Sequence, residues 1–291
     1  MKVRVAVAAL VCLSSTTAFA ADDGQYAEFD GVKIHYIDRG KGEPIVLLHG
    51  GTSSLDSWVR TGVVANLVKD FRVIAFDARG SGKSSKPHDP KAYGRQQALD
   101  VPRLLDALKV DRAHIVGFSL GSSTVAQLLT LAPQRFLTAT QAAGAGRSPE
   151  AANDPRIEVE ASEIEKGCIS RSRLYRQAPP NAKPTEEEYR RREAQCRADA
   201  DFDQLSVAAS LRSYHDQAVT AEQMRAVKVP TLGIVGTLDH TLQEMQELKR
   251  LRPDMKFVLL RGVSHTGPTG IQGQPELPAA IREFIASQRS N

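Results

Sequence analysis

Apolar and polar positions along the chain follow two periods. Tyr26–Phe29 and Val32–Ile37 are short alternating runs, the pattern of strands with one face in a core and one in water. Asp30-Gly31 between them is a hairpin signal, because a two-residue turn of this kind needs positive φ at both positions. Ile45–Leu48 is wholly apolar, as expected of a parallel strand buried on both faces. Arg72–Phe76, His114–Phe118, Phe136–Ala142, Thr231–Val235 and Lys256–Leu260 continue the series. Helical spacing of apolar residues fills the intervals at Ser57–Val68, Gln96–Leu108, Ser122–Leu131, Leu242–Leu251 and Leu277–Ser287. Strands alternating with helices predict an α/β sheet.

The pattern changes between about Gly146 and Val227, where strand signals stop and charge becomes dense. Pro179-Pro180 and Pro184 break this segment. Thr185-Glu186-Glu187-Glu188 has the form of a capping box opening a helix. Glu186/Arg190, Glu187/Arg191 and Glu188/Arg192 then fall at i, i+4 spacing, each pair worth about 0.2–0.5 kcal/mol on a solvated face. Residues 146–227 therefore read as a helical insertion between two sheet strands, placed to cover a site at the sheet's C-terminal edge. The sheet-bearing core comprises residues 21–145 and 228–291.

The first twenty residues, MKVRVAVAALVCLSSTTAFA, stand apart. Lys2 and Arg4 precede an unbroken apolar run, Val5 to Leu13, and Ala18-Phe19-Ala20 supplies small residues at a cleavage position. This is the layout of a secretory signal peptide cleaved after Ala20, and it predicts a periplasmic or secreted protein. The apolar run is too short for a span of roughly 20 residues. Cys12 lacks the small residue usual just before a lipidated cysteine, so no stable membrane anchor is expected. Of the formal charge of +4, Lys2 and Arg4 contribute two, leaving +2. No basic cluster stands without acids nearby, so nucleic acid is not an expected partner. Cys168 and Cys196 remain after cleavage. A disulfide between them is favoured over two separate buried thiols, because both lie in one polar segment of an exported chain.

The stretch FDARGSGKSS, residues 76–85, has the outline of a phosphate-binding loop. It fails as one, because Asp77 stands where the motif needs glycine. Pro87 and Pro90 also disfavour the helix whose N-terminus would face the phosphates. No nucleotide is expected. Gly80 and Gly82 are read as supplying unusual backbone angles to a turn, with Asp77 and Arg79 pairing to brace it and Lys83 facing solvent.

Chemistry concentrates at strand ends. Gly117-Phe118-Ser119-Leu120-Gly121 fits G-x-S-x-G between a buried strand and an apolar helix. The serine of such a turn sits on strained backbone, and the glycines keep neighbouring chain from colliding. Ser119 is thus a candidate nucleophile. Its hydroxyl needs a base, and His265, in the glycine-flanked loop GVSHTGP after the last strand, is the candidate. His114 begins the nucleophile strand at its far end and reads as structural. Asp239, just past the Thr231–Val235 strand, is the acid that would hold the tautomer of His265. The N–H groups of Leu120 and Gly51 are candidate oxyanion donors, each typically worth roughly 2.7–4 kcal/mol in the transition state. Gly50, Phe118 and Trp58 are the candidate pocket residues, although packing explains Trp58 better than substrate contact does.

LLHGG, FDARGSGKS, GFSLG, GTLD and GVSH occur in that order, and on these motifs the chain resembles the α/β-hydrolase superfamily over nearly all of residues 26–289. The resemblance is to its capped, serine-nucleophile, esterase-like branch. It implies a mostly parallel eight-stranded sheet flanked by helices, with residues 146–227 as a helical cap. It implies Ser119 as nucleophile, Asp239 as acid, His265 as base, and Gly51 and Leu120 as the oxyanion hole. It implies hydrolysis of a small-molecule acyl substrate, with no metal and no organic cofactor. Relatives that use an aspartate nucleophile, the dehalogenases and epoxide hydrolases, are disfavoured by Ser119. Lactonase, aminopeptidase, carbon–carbon hydrolase and cofactor-free haloperoxidase chemistry remain alternatives within the family, and a non-catalytic ligand-binding protein on the same fold is the alternative outside it. Many relatives carry a second glycine after the elbow, where this chain has Ser122. Oligomeric state is not legible.

Overall fold

A computed structural model of the protein describes residues 24–178 and 182–289. The leader reading over residues 1–20 and the break at Pro179-Pro180 lie outside the described residues. Eight strands form one sheet in the order β1-β2-β4-β3-β5-β6-β7-β8. They are β1 (Gln25–Phe29), β2 (Val32–Arg39), β3 (Glu43–Leu48), β4 (Phe71–Phe76), β5 (Ala113–Phe118), β6 (Phe136–Ala142), β7 (Thr231–Gly236) and β8 (Lys256–Leu260). The pairings β1–β2 and β2–β4 are antiparallel, and the rest are parallel. Asp30 and Gly31 both have positive φ, 51° and 72°, as the hairpin turn requires.

Helices cover both faces. On one side lie α1 (Asp56–Arg60), α2 (Val63–Leu67) and the C-terminal helix. On the other lie α3 (Arg95–Ala107), α4 (Leu120–Leu131) and the helix after β7. Alternation along the central strands feeds both cores: Val46, Leu48 and Ile115 enter one, and Ile45, Leu47 and Val116 the other. The single helix expected over Ser57–Val68 is two short ones, because Gly62 takes a left-handed φ of 76° between them. Between β6 and β7 come α5 (Pro149–Ala152), α6 (Arg156–Gly167), α7 (Arg171–Gln177), α8 (Glu186–Ala198), α9 (Gln204–Arg212) and α10 (Ala221–Ala226), then α11 (Leu242–Leu251) and α12 (Glu276–Arg289) follow β7 and β8. Ala161 and Ile164 of α6 and Ala208 and Leu211 of α9 form a separate small core against Tyr214, onto which Leu120 packs.

Thr185 caps α8 by accepting the Glu188 N–H at 3.2 Å. Of the three ion pairs expected on this helix, Glu188–Arg192 forms among the described residues, while Glu186 turns to Arg171 at 2.9 Å. A disulfide joins Cys168, at the end of α6, to Cys196 on α8.

The GSGKS turn is built around a carboxylate rather than a phosphate. Asp77 accepts from the N–H groups of Leu55 at 2.7 Å and Lys83 at 2.9 Å, and its Oδ2 lies 2.7 Å from His35 Nδ1. Ser84 Oγ donates to the Asp77 carbonyl at 2.6 Å and accepts the His35 N–H. The expected Asp77–Arg79 pair is replaced by two longer-range contacts: Arg79 instead forks onto buried Asp100, with N–O distances of 2.6 and 2.5 Å. The fork's reach carries Arg79 past its sequence neighbour to a carboxylate on α3. Residues after Ser84 run without helix until the short turn at Pro90–Ala92. Gly82 is mandatory, since its φ is 49° and an added Cβ would stand 2.3 Å from the Asp77 carboxylate. Gly82→Ala is therefore expected to cost about 3 kcal/mol. Thermal denaturation should show a fall on the order of 6–12 °C, and an unchanged midpoint would refute the packing argument.

Candidate active site

Four loops leave the C-terminal edge of the parallel strands and converge. They follow β3 (His49-Gly50-Gly51), β5 (Ser119), β7 (Asp239) and β8 (His265). This is the edge at which open α/β sheets form crevices. The turn after β5 holds Ser119 at φ 54° and ψ −114°, a conformation costly for a residue with a side chain. Two close approaches enforce it: a Cβ on Gly117 would lie 2.3 Å from the Gly121 carbonyl oxygen, and one on Gly121 2.3 Å from that of Leu48. Ser122, which stands where many relatives have glycine, is wholly buried and donates its hydroxyl to the carbonyls of Gly117 at 2.6 Å and Ala142 at 2.9 Å. That hydroxyl staples α4 to β5 and β6 under the turn.

Ser119 Oγ lies 2.9 Å from His265 Nε2, and His265 Nδ1 lies 3.0 Å from each Asp239 oxygen. An ionised carboxylate only accepts, so Nδ1 carries the proton and Nε2 is left to accept from the serine. The loops are tied to each other before the side chains meet. Thr237 N–H donates to the Leu260 carbonyl and Leu238 N–H to that of Val263, both at 2.9 Å. Gly236 allows this crossing, since a Cβ there would lie 2.0 Å from the Val263 oxygen.

Asp239 is buried, which opposes its charge. The His265 imidazole, with the N–H and hydroxyl of Thr241 at 2.9 and 2.8 Å, outweighs that cost and holds the carboxyl below its ordinary value. His240 packs against His265 with ring centroids 4.3 Å apart and the rings tilted by 55°. Burial first, then the neighbouring His265, pushes His240 down to about 4, so it is a neutral wall of the site. Asp239, His240 and His265 present ligand atoms within 4.8 Å of one another. The bonds among Asp239, His265 and Ser119 already occupy the atoms a cation would need.

The glycine loop after β3 lies against the elbow. A Cβ on Gly50 would come 3.0 Å from the Phe118 ring and 3.4 Å from Ser119 Cβ. Gly51 differs, since its Cβ would meet only the Leu120 side chain, at an ordinary 3.5 Å. Packing thus does not demand glycine at 51. Leu120 is the first residue of α4, whose opening N–H groups have no partner within the helix. His49, not singled out in the sequence, orients this loop. Its Nε2 accepts the Ala78 N–H at 3.1 Å, so Nδ1 carries the proton and donates to the Gly50 carbonyl at 2.7 Å. Burial keeps it neutral by lowering its pKa. An HGG run after a buried strand was the available signal.

A cavity of about 380 Å³ opens beside Ser119, between the residues after β6 and helices α6, α7 and α11. A smaller one of about 40 Å³ lies on the Gly50–Gly51 side of Leu120. Phe118 and Trp58 line neither cavity, which corrects their assignment to the pocket. Trp58 is fully buried and meets the Phe118 ring edge-on at 6.4 Å, and Phe118 in turn lies 5.0 Å from the His265 ring. They back the base rather than face a substrate. His114, bonded to Thr138 and Glu43, is remote from the site.

The architecture is that of an α/β hydrolase. A family model described as the alpha/beta hydrolase fold matches residues 43–159. The enol-lactonase of Burkholderia xenovorans LB400 is similar over 92% of this chain and 100% of its own, at 26% identity and a TM-score of 0.69. A dihydrolipoyllysine-residue acetyltransferase component of an acetoin cleaving system from Cupriavidus necator is 36% identical over 41% of this chain and 31% of its own. A putative non-heme chloroperoxidase of Synechocystis is 39% identical over 34% of this chain and 35% of its own. The match thus spans about a third of the length of these two curated relatives. The chain thus has the fold of the α/β-hydrolase superfamily.

Proposed function

We propose that the protein is an exported serine hydrolase that cleaves an ester or related acyl substrate through an acyl-enzyme. The 2.9 Å hydrogen bond between Ser119 Oγ, on its strained turn, and His265 Nε2 carries this reading. His265 takes the serine proton as Oγ attacks the carbonyl carbon. The resulting oxyanion is held by the N–H groups of Gly51 and Leu120. The carbon–leaving-group bond breaks, and His265 gives its proton to the departing alkoxide. Water then attacks the acyl-enzyme with His265 again as base, and the acid leaves as Ser119 recovers its proton. Asp239 stays ionised throughout and steadies the imidazolium. Chain and water suffice for every step. Residues 146–227 serve as the cap, since their helices wall the cavity beside Ser119. The export reading draws support from the Cys168–Cys196 bond, which persists in oxidising compartments. Treatment with a fluorophosphonate should add one phosphonyl mass on the peptide containing Ser119. Folded protein that takes up no label would overturn the reading.

A further inference from the structure

Arg147 follows β6 in a segment pressed against the nucleophile: a Cβ on Gly144 would lie 2.7 Å from the Ser119 carbonyl oxygen. Its backbone is anchored where its carbonyl accepts the Val219 N–H at 2.8 Å. Its guanidinium lies 3.4 Å over the Tyr214 ring, with Nε donating to Gln217 at 3.4 Å. It lines the same cavity as Ser119.

The other arginines on that cavity have carboxylates. Arg156 pairs with Asp154, Arg176 with Glu160, and Arg173 reaches Glu160 at 4.0 Å. Among the described residues, Arg147 has no carboxylate within 4.0 Å, and its two Nη groups donate to no protein acceptor. A guanidinium stays charged at physiological pH. Arg147 is half-buried, and the Tyr214 face offsets part of the cost of drawing its charge from water without supplying a counter-charge. Glu244 on α11 faces the same cavity without an ion pair among the described residues, so it tempers Arg147 only at longer range. Two free Nη donors in one plane match the two oxygens of a carboxylate.

We infer that the acyl substrate of the Ser119 site carries a carboxylate that docks on Arg147, as in a half-ester of a dicarboxylic acid; this rests on the hydrolase reading of that site. A cavity of about 380 Å³ is of the size that holds such a molecule.

Binding to the Ser119→Ala protein, measured by calorimetry, separates this inference from the catalytic reading. Monomethyl glutarate should bind at least about tenfold tighter than dimethyl glutarate. Adding Arg147→Met should abolish that preference, Arg147→Lys should retain part of it, and Glu244→Gln should increase it. With Ser119 intact, Arg147→Met should raise KM for mono-p-nitrophenyl glutarate about tenfold while leaving p-nitrophenyl butyrate within about twofold. Equal or absent binding of the half-ester, or a preference that survives Arg147→Met in folded protein, overturns the inference. Half-ester preference without turnover of any ester would sink the hydrolase reading and leave the anion site standing.

Discussion

Ser119→Ala is expected to lower kcat on the protein's best ester by on the order of a millionfold, with the variant still folded. The size follows from the role. Without Oγ no acyl-enzyme forms, and only the oxyanion donors and binding contacts remain, which leave about 10³–10⁴-fold over water. Folding should survive, because the hydroxyl's hydrogen-bond partner is His265 Nε2, in the loop after β8, and not a group of the core. The strained φ of 54° is imposed by the approaches of Gly117 and Gly121, which alanine does not disturb. His265→Ala should be nearly as severe, and the double variant hardly worse, since nucleophile and base act as one unit. Active-site titration before the assay removes any contribution from contaminating wild type. Residual activity above about one part in a hundred would exclude Ser119 as nucleophile, because neither oxyanion donors nor binding supplies that much.

How far the sequence reveals this site depends on the range of the forces that build it. The elbow is legible because one of its causes is local: Gly117 lies against the Gly121 carbonyl four residues on, and although Gly121 is required by the distant Leu48 carbonyl, both glycines are printed in the motif. The hairpin at Asp30-Gly31 is legible for the same reason. Asp239 and His265 could be placed because each follows a recognisable strand, and parallel strands bring their C-terminal loops to one edge. Side-chain partnership is another matter. Asp77 and Arg79 are sequence neighbours, yet the folded chain gives Asp77 to His35 and Arg79 to Asp100. Each choice is set by tertiary approach, which no local pattern encodes. Trp58 was ambiguous for a similar reason, since a lone aromatic near a glycine loop suits pocket and core equally until the neighbouring helices are placed. Arg147 carried no motif at all. Its meaning comes from Tyr214 beneath it and from the acids that pair with the other arginines instead.

Asp239→Asn is expected to cost about 10⁴-fold in kcat with little change in KM. The carboxylate makes three kinds of contact, to His265 Nδ1 and to the Thr241 N–H and hydroxyl, and in each it accepts. Asparagine keeps the shape but offers one oxygen and one amide nitrogen. If its oxygen stays with Thr241, its NH₂ faces Nδ1 and forces that atom to accept. The imidazole proton then moves to Nε2 and points at Ser119, so the base can no longer take the serine proton. The imidazolium of the transition state also loses its counter-charge. A stability readout separates this from mere disruption. Because the folded-state carboxyl is held below its ordinary value near about 4, its stabilisation is present in full above that pH and lost as pH falls through the folded value. The melting temperatures of wild type and Asp239→Asn should therefore differ most near neutrality and draw together as pH falls below about 4. A constant gap across that range, or a kcat loss below about tenfold, would mean that Asp239 neither sets the tautomer of His265 nor draws its low pKa from that partnership.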